Sequence, residues 1–450
     1  MQSVNEREIV LGILLDNEQK GTYSHILVRE ALDRHKDLPD RQRAFIKRLT
    51  EGVLERKIEL DAVIDQFSKK PAASLRPAIQ QILRMGIYQI LYMDSVPDSA
   101  ATSEAVRLVK KRKMDRLSGF VNAILRNVIR SRDRGDLASL PGEASLSVRY
   151  SMPQWLIDLW TDQFGGEQTE KMLEALLEIR PVCIRFAPDI SPEEREDLLE
   201  QMRRRGAEVS PGRWLPYAFY LTGTKDLQDL PGYAGGKWTV QDESSMFVTQ
   251  VSGIRGDETV MDVCAAPGGK SLHAASLLKE GRVLAFDLTE KKTEQIRRNI
   301  KRMRLEEKII AAKQDARIFN ERYRDCADLL ICDLPCSGLG IIGRKRDIKY
   351  RISEKELHDL SALQKEILAN AVSYLKSGGI LIYSTCTINR LENQENADYI
   401  EKELGLIPDS LLPYLPQGIP GVEGPGQNRL QLLPHIHGTD GFFVSRFRRP

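Results

Sequence analysis

Two cysteines that follow apolar runs late in the chain are candidates for covalent chemistry. Cys336 lies in Asp333-Leu-Pro-Cys-Ser-Gly338, and Cys386 lies in Ser384-Thr-Cys-Thr387. Single cysteines are more often small buried apolar side chains than nucleophiles. Two thiols at the ends of predicted neighbouring strands, one of them preceded by Asp-x-Pro, instead indicate a shared cleft. Asp333 adds a carboxylate to the same cleft.

A thiolate solves a specific problem in the methylation of cytosine. Carbon 5 of the ring is a poor nucleophile, but addition of a thiolate to carbon 6 turns the ring into an enamine whose carbon 5 is electron-rich. After methyl transfer a base removes the carbon-5 hydrogen and the thiolate leaves, so that one difficult step is divided into easier ones. A free cysteine thiol titrates at about 8.5, so a nearby base or a lowered pKa would help. Asp333 is placed to bond N3 of the ring. These residues alone do not show which of the two thiols, that of Cys336 or that of Cys386, is the nucleophile.

A loop of small residues earlier in the chain predicts a site for a nucleoside-like ligand. Its sequence is Cys264-Ala265-Ala266-Pro267-Gly268-Gly269-Lys270. The small residues let the backbone approach a ligand closely, and a helix that starts near Ser271 points its N–H groups at that ligand. Asp287, 19 residues after Gly268, stands where an acidic residue binds a ribose hydroxyl in nucleoside-binding folds. Asp315 could accept a hydrogen bond from an adenine amino group.

Two other nucleotide ligands fit this loop less well than S-adenosylmethionine. A dinucleotide fold needs Gly-x-Gly-x-x-Gly, which residues 265–269 do not supply. Gly269-Lys270-Ser271 matches the end of a P-loop, and residues 329–333 resemble the strand that ends in a magnesium-binding Asp. The first glycine of the P-loop would nevertheless fall on Cys264, and Pro267 lacks an N–H that a phosphate cradle uses. S-Adenosylmethionine has no phosphates and fits the carboxylates better.

The elements that must position these residues predict a doubly wound parallel sheet. Short apolar runs alternate with helical stretches such as Glu290–Met303 and 353–375. The runs are 259–264, Arg282–Asp287, 308–312, 329–333 and 379–384. Such runs fit strands buried on both faces, and their alternation with helices indicates parallel pairing. Ligands bind outside the carboxyl ends of strands in such sheets, which is where the candidate residues stand.

Three domains are predicted along the chain. Residues 1–140 have few glycines and prolines and carry apolar residues at helical spacing, which predicts an all-α domain. Residues 141–238 predict a small α+β linking domain, and residues 239–450 form the sheet domain. From residue 107 to 134, ten Lys and Arg stand against two Asp, a local +8 in a chain of net charge +2. Most basic runs are merely solvated, but this excess favours a polyanion partner.

Composition and pattern exclude several classes of protein. With 41% hydrophobic and 29% charged residues, the chain should form a core rather than remain disordered. The uncharged stretch 377–389 is too short and polar to cross a bilayer, which needs about 20 apolar residues, and the first residues do not resemble a signal peptide. Six cysteines with no Cys-x-x-Cys pair indicate free thiols. We expect a cytoplasmic protein with no metal site, no membrane partner and no evident obligate protein partner.

In combination these motifs resemble the Sun (RsmB-type) family of bacterial 16S ribosomal RNA cytosine-5 methyltransferases. The resemblance rests on the loop 264–270 and the two cysteine motifs, and also on Gln241-Asp-Glu-Ser-Ser-Met246 and the ending Gly441-Phe-Phe443. Residues 103–106 and 120–122 resemble a NusB-like RNA-binding domain. The resemblance covers nearly the whole chain. It implies an all-α NusB-like domain, a small α+β linker and a Rossmann-like S-adenosylmethionine-dependent methyltransferase domain.

The resemblance also implies roles for individual residues. The loop 264–270, Asp287, Asp315 and Asp333 would hold S-adenosylmethionine. Cys386 would be the nucleophile and Cys336 would assist product release, although DNA cytosine methyltransferases use the Pro-Cys thiol as nucleophile instead. The implied substrate is 16S ribosomal RNA. Within residues 343–351, Gly343 and Arg346 depart from the family pattern.

Two hypotheses from other classes remain beside the methyltransferase. A phosphate-cradling NTPase would turn over ATP and require magnesium. A non-catalytic RNA-binding or antitermination factor, built on the NusB-like part, would bind RNA equally well without Cys336 and Cys386. The methyltransferase hypothesis is preferred because it alone uses the carboxylates and both thiols together.

Overall fold

The structure, a computed structural model, describes residues 5–136, 145–224 and 226–450. It divides into two compact units. The first consists of Met1–Glu178 with Arg344–Arg351, and the second of Ile179–Gly343 with Ile352–Pro450. The predicted boundary between residues 140 and 141 lies outside the described residues, and the three predicted domain ranges stay predictions. Within the described ranges, no helix is long and apolar enough to span a bilayer.

Helices make up the first unit, which confirms the predicted all-α N-terminal fold. Asn5 caps the first helix by accepting a hydrogen bond from the Glu8 N–H at 3.0 Å, and Gly21, with φ 66°, ends it. The described helices are α1 (Glu6–Lys20), α2 (Ser24–Arg34), α3 (Asp40–Glu55), α4 (Lys57–Phe67), α5 (Pro77–Tyr92), α6 (Asp98–Lys111), α7 (Ser118–Arg134), α8 (Leu146–Arg149), α9 (Gln154–Phe164) and α10 (Gly166–Leu177). Helix α5 is buried along nearly its whole length. A methyl group at Gly52 in α3 would lie 1.9 Å from the Tyr88 ring in α5, so glycine is required where these helices meet.

A short segment from the C-terminal half of the chain, Arg344–Arg351, folds into this helical unit. Asp347 is 1% exposed and accepts hydrogen bonds from the Ser24 N–H and hydroxyl, both at 2.9 Å. Burial alone would raise the pKa of Asp347, but these and further hydrogen bonds outweigh it and lower the pKa. Arg346, which departs from the family pattern, pairs with Glu55 at 2.5 Å. The segment is therefore part of the helical core.

The second unit contains a small antiparallel sheet with strand order β2-β3-β1-β4. Its elements are β1 (Val182–Phe186), α11 (Pro192–Arg204), β2 (Glu208–Pro211), β3 (Ala218–Thr222) and β4 (Trp238–Val240). Phe186, Leu199 and Trp238 are buried together between the sheet and α11. The predicted small α+β module is confirmed, although the helices between residues 146 and 177 belong to the first unit.

The large sheet confirms the predicted α/β fold but is mixed rather than wholly parallel. Its elements are α12 (Glu243–Gln250), β5 (Thr259–Asp262), α13 (Gly269–Leu277), β6 (Arg282–Asp287), α14 (Glu290–Met303), β7 (Ile309–Lys313), β8 (Ala327–Asp333), α15 (Glu354–Ala371), β9 (Leu375–Thr385), α16 (Gln394–Lys402), β10 (Ile407–Pro408), β11 (Val422–Glu423), β12 (Arg429–Leu432), α17 (Pro434–His437) and β13 (Phe442–Arg448). Strands β5 to β9 are parallel, in the order β7-β6-β5-β8-β9. Beyond β9, strands β13, β12 and β11 continue the sheet in antiparallel pairing. Antiparallel neighbours need only a short connection, whereas parallel ones need a crossover, so the last residues can close the sheet without another long helix.

Candidate active site

The switch point of the large sheet lies between β5 and β8. The chain runs from β5 outward through β6 to β7, and then continues with β8 and β9 on the other side of β5. Ligands bind outside the carboxyl ends of the strands at such a point. The loop 264–270 follows β5, and the loops that carry Cys336 and Cys386 follow β8 and β9. The topology therefore gathers motifs that are far apart in sequence.

The loop after β5 is fastened to the end of β6 by Asp287. Gly268, with φ 105°, turns the chain into α13, a backbone conformation that side chains other than glycine rarely adopt. The Asp287 carboxylate accepts hydrogen bonds from the Ala266 N–H at 3.0 Å and the Leu288 N–H at 2.7 Å. Lys292 Nζ lies 3.2 Å from the same carboxylate. Asp287 is thus a buried, well-held acceptor at the edge of the loop.

Two other predicted cofactor residues have contrasting surroundings. Burial raises the pKa of the Cys264 thiol, with Asp262 and Asp287 adding to the effect, so this sulfur stays protonated at neutral pH. Asp315, which follows β7, forms a two-pronged pair with Arg317, at 3.0 Å to Nε and 2.7 Å to Nη2. These hydrogen bonds lower the pKa of Asp315. Asp315 is therefore an ionised acceptor.

Lys270 and Asp333 form an ion pair that joins the loop after β5 to the end of β8. Lys270 Nζ lies 2.6 Å from Asp333 Oδ2, and the Ser384 hydroxyl donates to Asp333 Oδ1 at 2.8 Å. Burial alone would lower the pKa of Lys270, but the attraction and hydrogen bond of Asp333, together with the charges of Asp262 and Cys386, outweigh burial and raise the pKa. Lys270 is therefore a permanent cation in the crevice.

Asp262, the last residue of β5, was missed by the sequence analysis as a site residue. Its side chain is buried, and Oδ2 accepts a hydrogen bond from the Ser271 hydroxyl at 2.6 Å. Among the described residues Oδ1 has no hydrogen-bond partner. Burial raises the pKa of Asp262 to about 7, with the Ser271 hydrogen bond opposing the rise and Asp333 adding to it. The signal that could have found it is its place as the strand-end carboxylate directly before the small-residue loop.

The two candidate thiols meet, because β8 and β9 are neighbours in the sheet. Cys336 Sγ lies 3.3 Å from Cys386 Sγ, within hydrogen-bond distance for sulfur. Gly340 fixes this approach, since its N–H donates to the Cys386 carbonyl at 3.1 Å. A methyl group at Gly340 would lie 1.9 Å from the Gly441 carbonyl oxygen. Only glycine therefore lets the Cys336 loop pack against the loop of Cys386.

The electrostatic surroundings of the two thiols differ. The pKa of Cys336 is raised well above its usual value, first by the hydrogen bond to Cys386, then by burial, and further by the charges of Glu392 and Asp333. Cys386, by contrast, is close enough to Lys270 for a thiolate there to attract the ammonium. Negative charges thus raise the pKa of Cys336, and Lys270 would stabilise a thiolate at Cys386.

Comparison with known proteins shows which family carries this arrangement. Three family models match the chain: NusB family at residues 4–130, the RsmF/B-like ferredoxin-like domain at 152–228 and 16S rRNA methyltransferase RsmB/F at 251–448. A probable ribosomal RNA small subunit methyltransferase B of Bacillus subtilis (strain 168) is 35% identical over 100% of both chains. The chain belongs to the RsmB/F family of 16S rRNA methyltransferases. The resemblance drawn from the sequence is thereby confirmed.

Further relatives agree with this membership of the RsmB/F family. The ribosomal RNA small subunit methyltransferase B of Serratia proteamaculans (strain 568) is 30% identical over 91% of each chain. A methyltransferase homologue from Pyrococcus horikoshii superposes with a TM-score of 0.58 at 26% identity, over 68% of this chain and 98% of that one. The crystal structure of PH0851, at 24% identity, shares the fold over 99% of both chains with a TM-score of 0.79.

Family membership settles the reaction class of this RsmB/F-family protein. It is an S-adenosylmethionine-dependent RNA methyltransferase, and S-adenosylmethionine is its methyl donor. The predicted cofactor is thus confirmed, whereas the residues assigned to bind it stay predictions.

Proposed function

We propose that this protein methylates carbon 5 of a specific cytidine in 16S ribosomal RNA through a covalent cysteine–cytosine intermediate. The observation that carries the proposal is the pair of thiols, Cys336 and Cys386, 3.3 Å apart at the carboxyl ends of β8 and β9. Methylation of an amino group or a ribose hydroxyl needs no sulfur nucleophile, whereas carbon 5 of cytosine does. Ribosomal RNA as substrate would place the enzyme in the cytoplasm.

Cys386 is the nucleophile in this proposal. Its thiolate forms a bond to carbon 6 of the ring, and the displaced electron pair makes carbon 5 nucleophilic. The Lys270 ammonium favours the thiolate by charge attraction. Lys270 and Ser384 hold Asp333 in place. N3 of the ring is an acceptor, so Asp333 acts there in its acid form: its proton passes to N3 as the thiolate adds, and this offsets the negative charge that addition creates.

Cys336 assists release in the same scheme. After methyl transfer a base takes the proton from carbon 5, and the electrons of that bond restore the ring as the carbon–sulfur bond breaks. The departing sulfur of Cys386 regains a negative charge, which a protonated Cys336 at hydrogen-bond distance stabilises. A raised pKa keeps Cys336 protonated for this task.

The loop after β5 and its surrounding carboxylates fit S-adenosylmethionine. Asp262 Oδ1 is a buried acceptor without a partner among the described residues, which suits the ammonium of an amino acid. Asp287 would bind the ribose hydroxyls and Asp315 the adenine amino group. When bound, the cofactor supplies an electrophilic methyl group. The chain's own part is to hold that group beside the cytosine and to exclude water from the crevice.

The proposal is tested by mapping methylation in RNA. We expect purified protein, tritiated S-adenosylmethionine and 16S ribosomal RNA to yield 5-methylcytidine at a single position, identified by mass spectrometry of RNA fragments. Ribosomal RNA from cells that lack the protein should lose the same modification. A methyl group on a ribose or an exocyclic amine would contradict the proposal.

The contacts of Lys270 argue against an NTPase, although Gly269-Lys270-Ser271 matches the end of a P-loop. Lys270, which a P-loop would direct at phosphates, is committed to Asp333 at 2.6 Å. A non-catalytic RNA-binding factor would not need the thiols and carboxylates that the fold brings together. Magnesium-dependent ATP turnover would support the NTPase, and RNA binding without methylation would support the non-catalytic factor.

The basic stretch 107–134, which comprises the end of α6, the turn after it and α7, is proposed to contact RNA phosphates. Part of it is neutralised locally, since Lys111 pairs with Glu8 at 2.5 Å. Lys110, Arg112 and Lys113 are exposed, and no ion pair to them occurs among the described residues. Replacing these three by Gln should weaken RNA binding and reduce the slope of log affinity against log salt by about 2, at about 0.7 per single-strand phosphate.

A matched control for this experiment removes three charges elsewhere in the same helical unit. Lys20, Arg29 and Lys171 are exposed and each pairs with an acid on its own helix. Their replacement by Gln should leave the salt slope unchanged. Equal slopes for the two triple variants would show that the basic stretch is only a solvated surface.

A further inference from the structure

Glu392 is a buried carboxylate that the reaction described above does not use. Its side chain is 0% exposed and follows β9 in the chain. It accepts hydrogen bonds from the Ser337 N–H at 2.9 Å, the Ser337 hydroxyl at 2.5 Å, Gln364 Nε2 at 2.9 Å and Asn389 Nδ2 at 3.3 Å. Burial raises the pKa of Glu392, and these hydrogen bonds oppose the rise. A buried carboxyl group with so many donors is a fixed structural anchor.

The donors to Glu392 belong to the segments that carry the two thiols. Ser337 is the residue after Cys336, and its hydroxyl also lies 2.7 Å from the Thr387 hydroxyl. Thr387 is the residue after Cys386. Because the Ser337 proton is directed at Glu392, the Thr387 hydroxyl is the donor of the pair. A continuous chain of hydrogen bonds therefore runs from Glu392 through Ser337 to Thr387, the last two being the residues that directly follow the two cysteines.

Glu392 is itself held from behind by a buried polar network. Its backbone carbonyl accepts hydrogen bonds from the Tyr383 hydroxyl and from Asn396 Nδ2. Asn396 Nδ2 also donates to Gln364 Oε1 at 2.6 Å, and Gln364 Nε2 donates to the Pro335 carbonyl at 2.7 Å. The anchor thus connects α15, α16 and the loops after β8 and β9. Such fully satisfied networks specify one arrangement of the groups they join.

We propose that Glu392 is a positioning residue that braces the Cys336 loop against the Cys386 loop and so aligns Cys336 with the departing sulfur. The inference rests on the proposed function for its catalytic consequence, but the alignment of the two sulfur atoms can be measured without any reaction on RNA. Loss of the brace affects release more than methyl transfer, because Cys386 keeps its neighbour Lys270 while Cys336 loses its anchor.

The decisive variant is Glu392→Gln, which preserves the side-chain volume. It replaces one carboxylate oxygen by an NH2 group, which cannot accept the hydrogen bonds that Ser337, Gln364 and Asn389 donate. We expect methyl transfer in a single turnover to stay within about 3-fold of wild type, while steady-state kcat falls about 10²-fold, the scale of losing one aligned donor. Denaturing gels should show a protein–RNA adduct, and the KM for S-adenosylmethionine should not change. Glu395→Gln, an exposed carboxylate in α16, is the matched control and should behave as wild type.

A second measurement uses diamide, an azo oxidant that takes two electrons and two protons from a thiol pair and leaves a disulfide. Thiols held 3.3 Å apart should form this disulfide rapidly in the wild-type protein without RNA. Glu392→Gln should slow its formation about 10-fold, as expected when an aligned pair loses part of its effective concentration. The rates are compared at a pH high enough for them to have reached a plateau, because loss of the Glu392 charge also lowers the pKa of Cys336 and would by itself speed the reaction. Wild-type disulfide rates with Glu392→Gln would overturn the brace, whatever the RNA assays show. Failure to detect 5-methylcytidine would instead overturn the proposed function and leave the disulfide result standing.

Thr387→Val tests the same proposal if Glu392→Gln does not fold. This variant preserves shape and removes only the hydroxyl that joins Ser337 to the Cys386 loop. It should slow disulfide formation and adduct release in the same direction but less strongly. If Thr387→Val, folded by its thermal transition, matches wild type in both measurements, the two loops are aligned without this brace and the inference is wrong.

Discussion

Cys386→Ala should abolish methylation without a trapped complex, whereas Cys336→Ala should accumulate a covalent protein–RNA complex. Removal of Cys386 deletes the sulfur that adds to carbon 6, so no adduct can form and kcat should fall by about 10⁴-fold or more. Removal of Cys336 leaves addition and methyl transfer possible but withdraws the hydrogen bond to the leaving sulfur 3.3 Å away. Denaturing gels of protein incubated with 16S ribosomal RNA and S-adenosylmethionine show the adducts, and tritium transfer from labelled S-adenosylmethionine to the RNA measures methylation.

Cys326→Ala is the control for this pair of variants. Cys326 directly precedes β8, at the end opposite the Asp333 loop, so it offers a thiol next to the same strand but at its other end. Its replacement should leave both turnover and gel pattern unchanged. An adduct with Cys386→Ala and none with Cys336→Ala would reverse the two roles, and an adduct with neither would remove the covalent mechanism.

The sequence was most informative where local pattern alone sets the structure. Strand β6 (Arg282–Asp287) and helix α14 (Glu290–Met303) have the predicted bounds, because an apolar run and an amphipathic stretch are separated by a short polar turn. The order of the parallel strands then follows from the right-handed crossover connections between them. The proximity of Cys336 and Cys386 could therefore be anticipated. Their ranking could not, because it depends on which charged groups the fold places beside each sulfur.

Features that depend on packing between distant parts of the chain could not be predicted from the local sequence pattern. Arg344–Arg351 lies between β8 and β9 in sequence, yet its contacts are with helices of the first unit, such as that of Asp347 with Ser24. Asp262 and Glu392 are buried carboxylates, and a sequence does not show whether a carboxylate is buried or which donors reach it. The resemblance included the ending Gly441-Phe-Phe443, but the antiparallel pairing of β13 with β9 and β12 was not predicted, because a parallel and an antiparallel edge strand have the same apolar pattern.

Lys270→Met should reduce kcat/KM about 10²-fold, the scale of removing one preorganised charge from a site. The sequence assigned Lys270 to the cofactor loop, whereas the structure places its ammonium 2.6 Å from Asp333 and within electrostatic reach of Cys386. Without this cation the Cys386 thiolate loses its attraction and Asp333 loses its partner. The acid limb of the pH–rate profile should therefore move to higher pH.

The pH profile separates this role from simple cofactor binding, because Lys270 itself does not titrate in the range measured. Its pKa is raised by Asp333 and other nearby negative groups in spite of burial, so it stays cationic throughout the neutral region. Because Lys270 also lowers the pKa of Asp262, which burial raises to about 7, the profile is measured in Asp262→Asn as well, and a limb that persists there reports the thiol. Lys270→Arg keeps the charge and should keep the position of the limb, even if the longer side chain lowers the rate. If the acid limb of the pH–rate profile does not shift in Lys270→Met and the KM for S-adenosylmethionine rises, Lys270 serves only to bind the cofactor. A shifted limb with unchanged KM would instead support Lys270 as the group that favours the Cys386 thiolate.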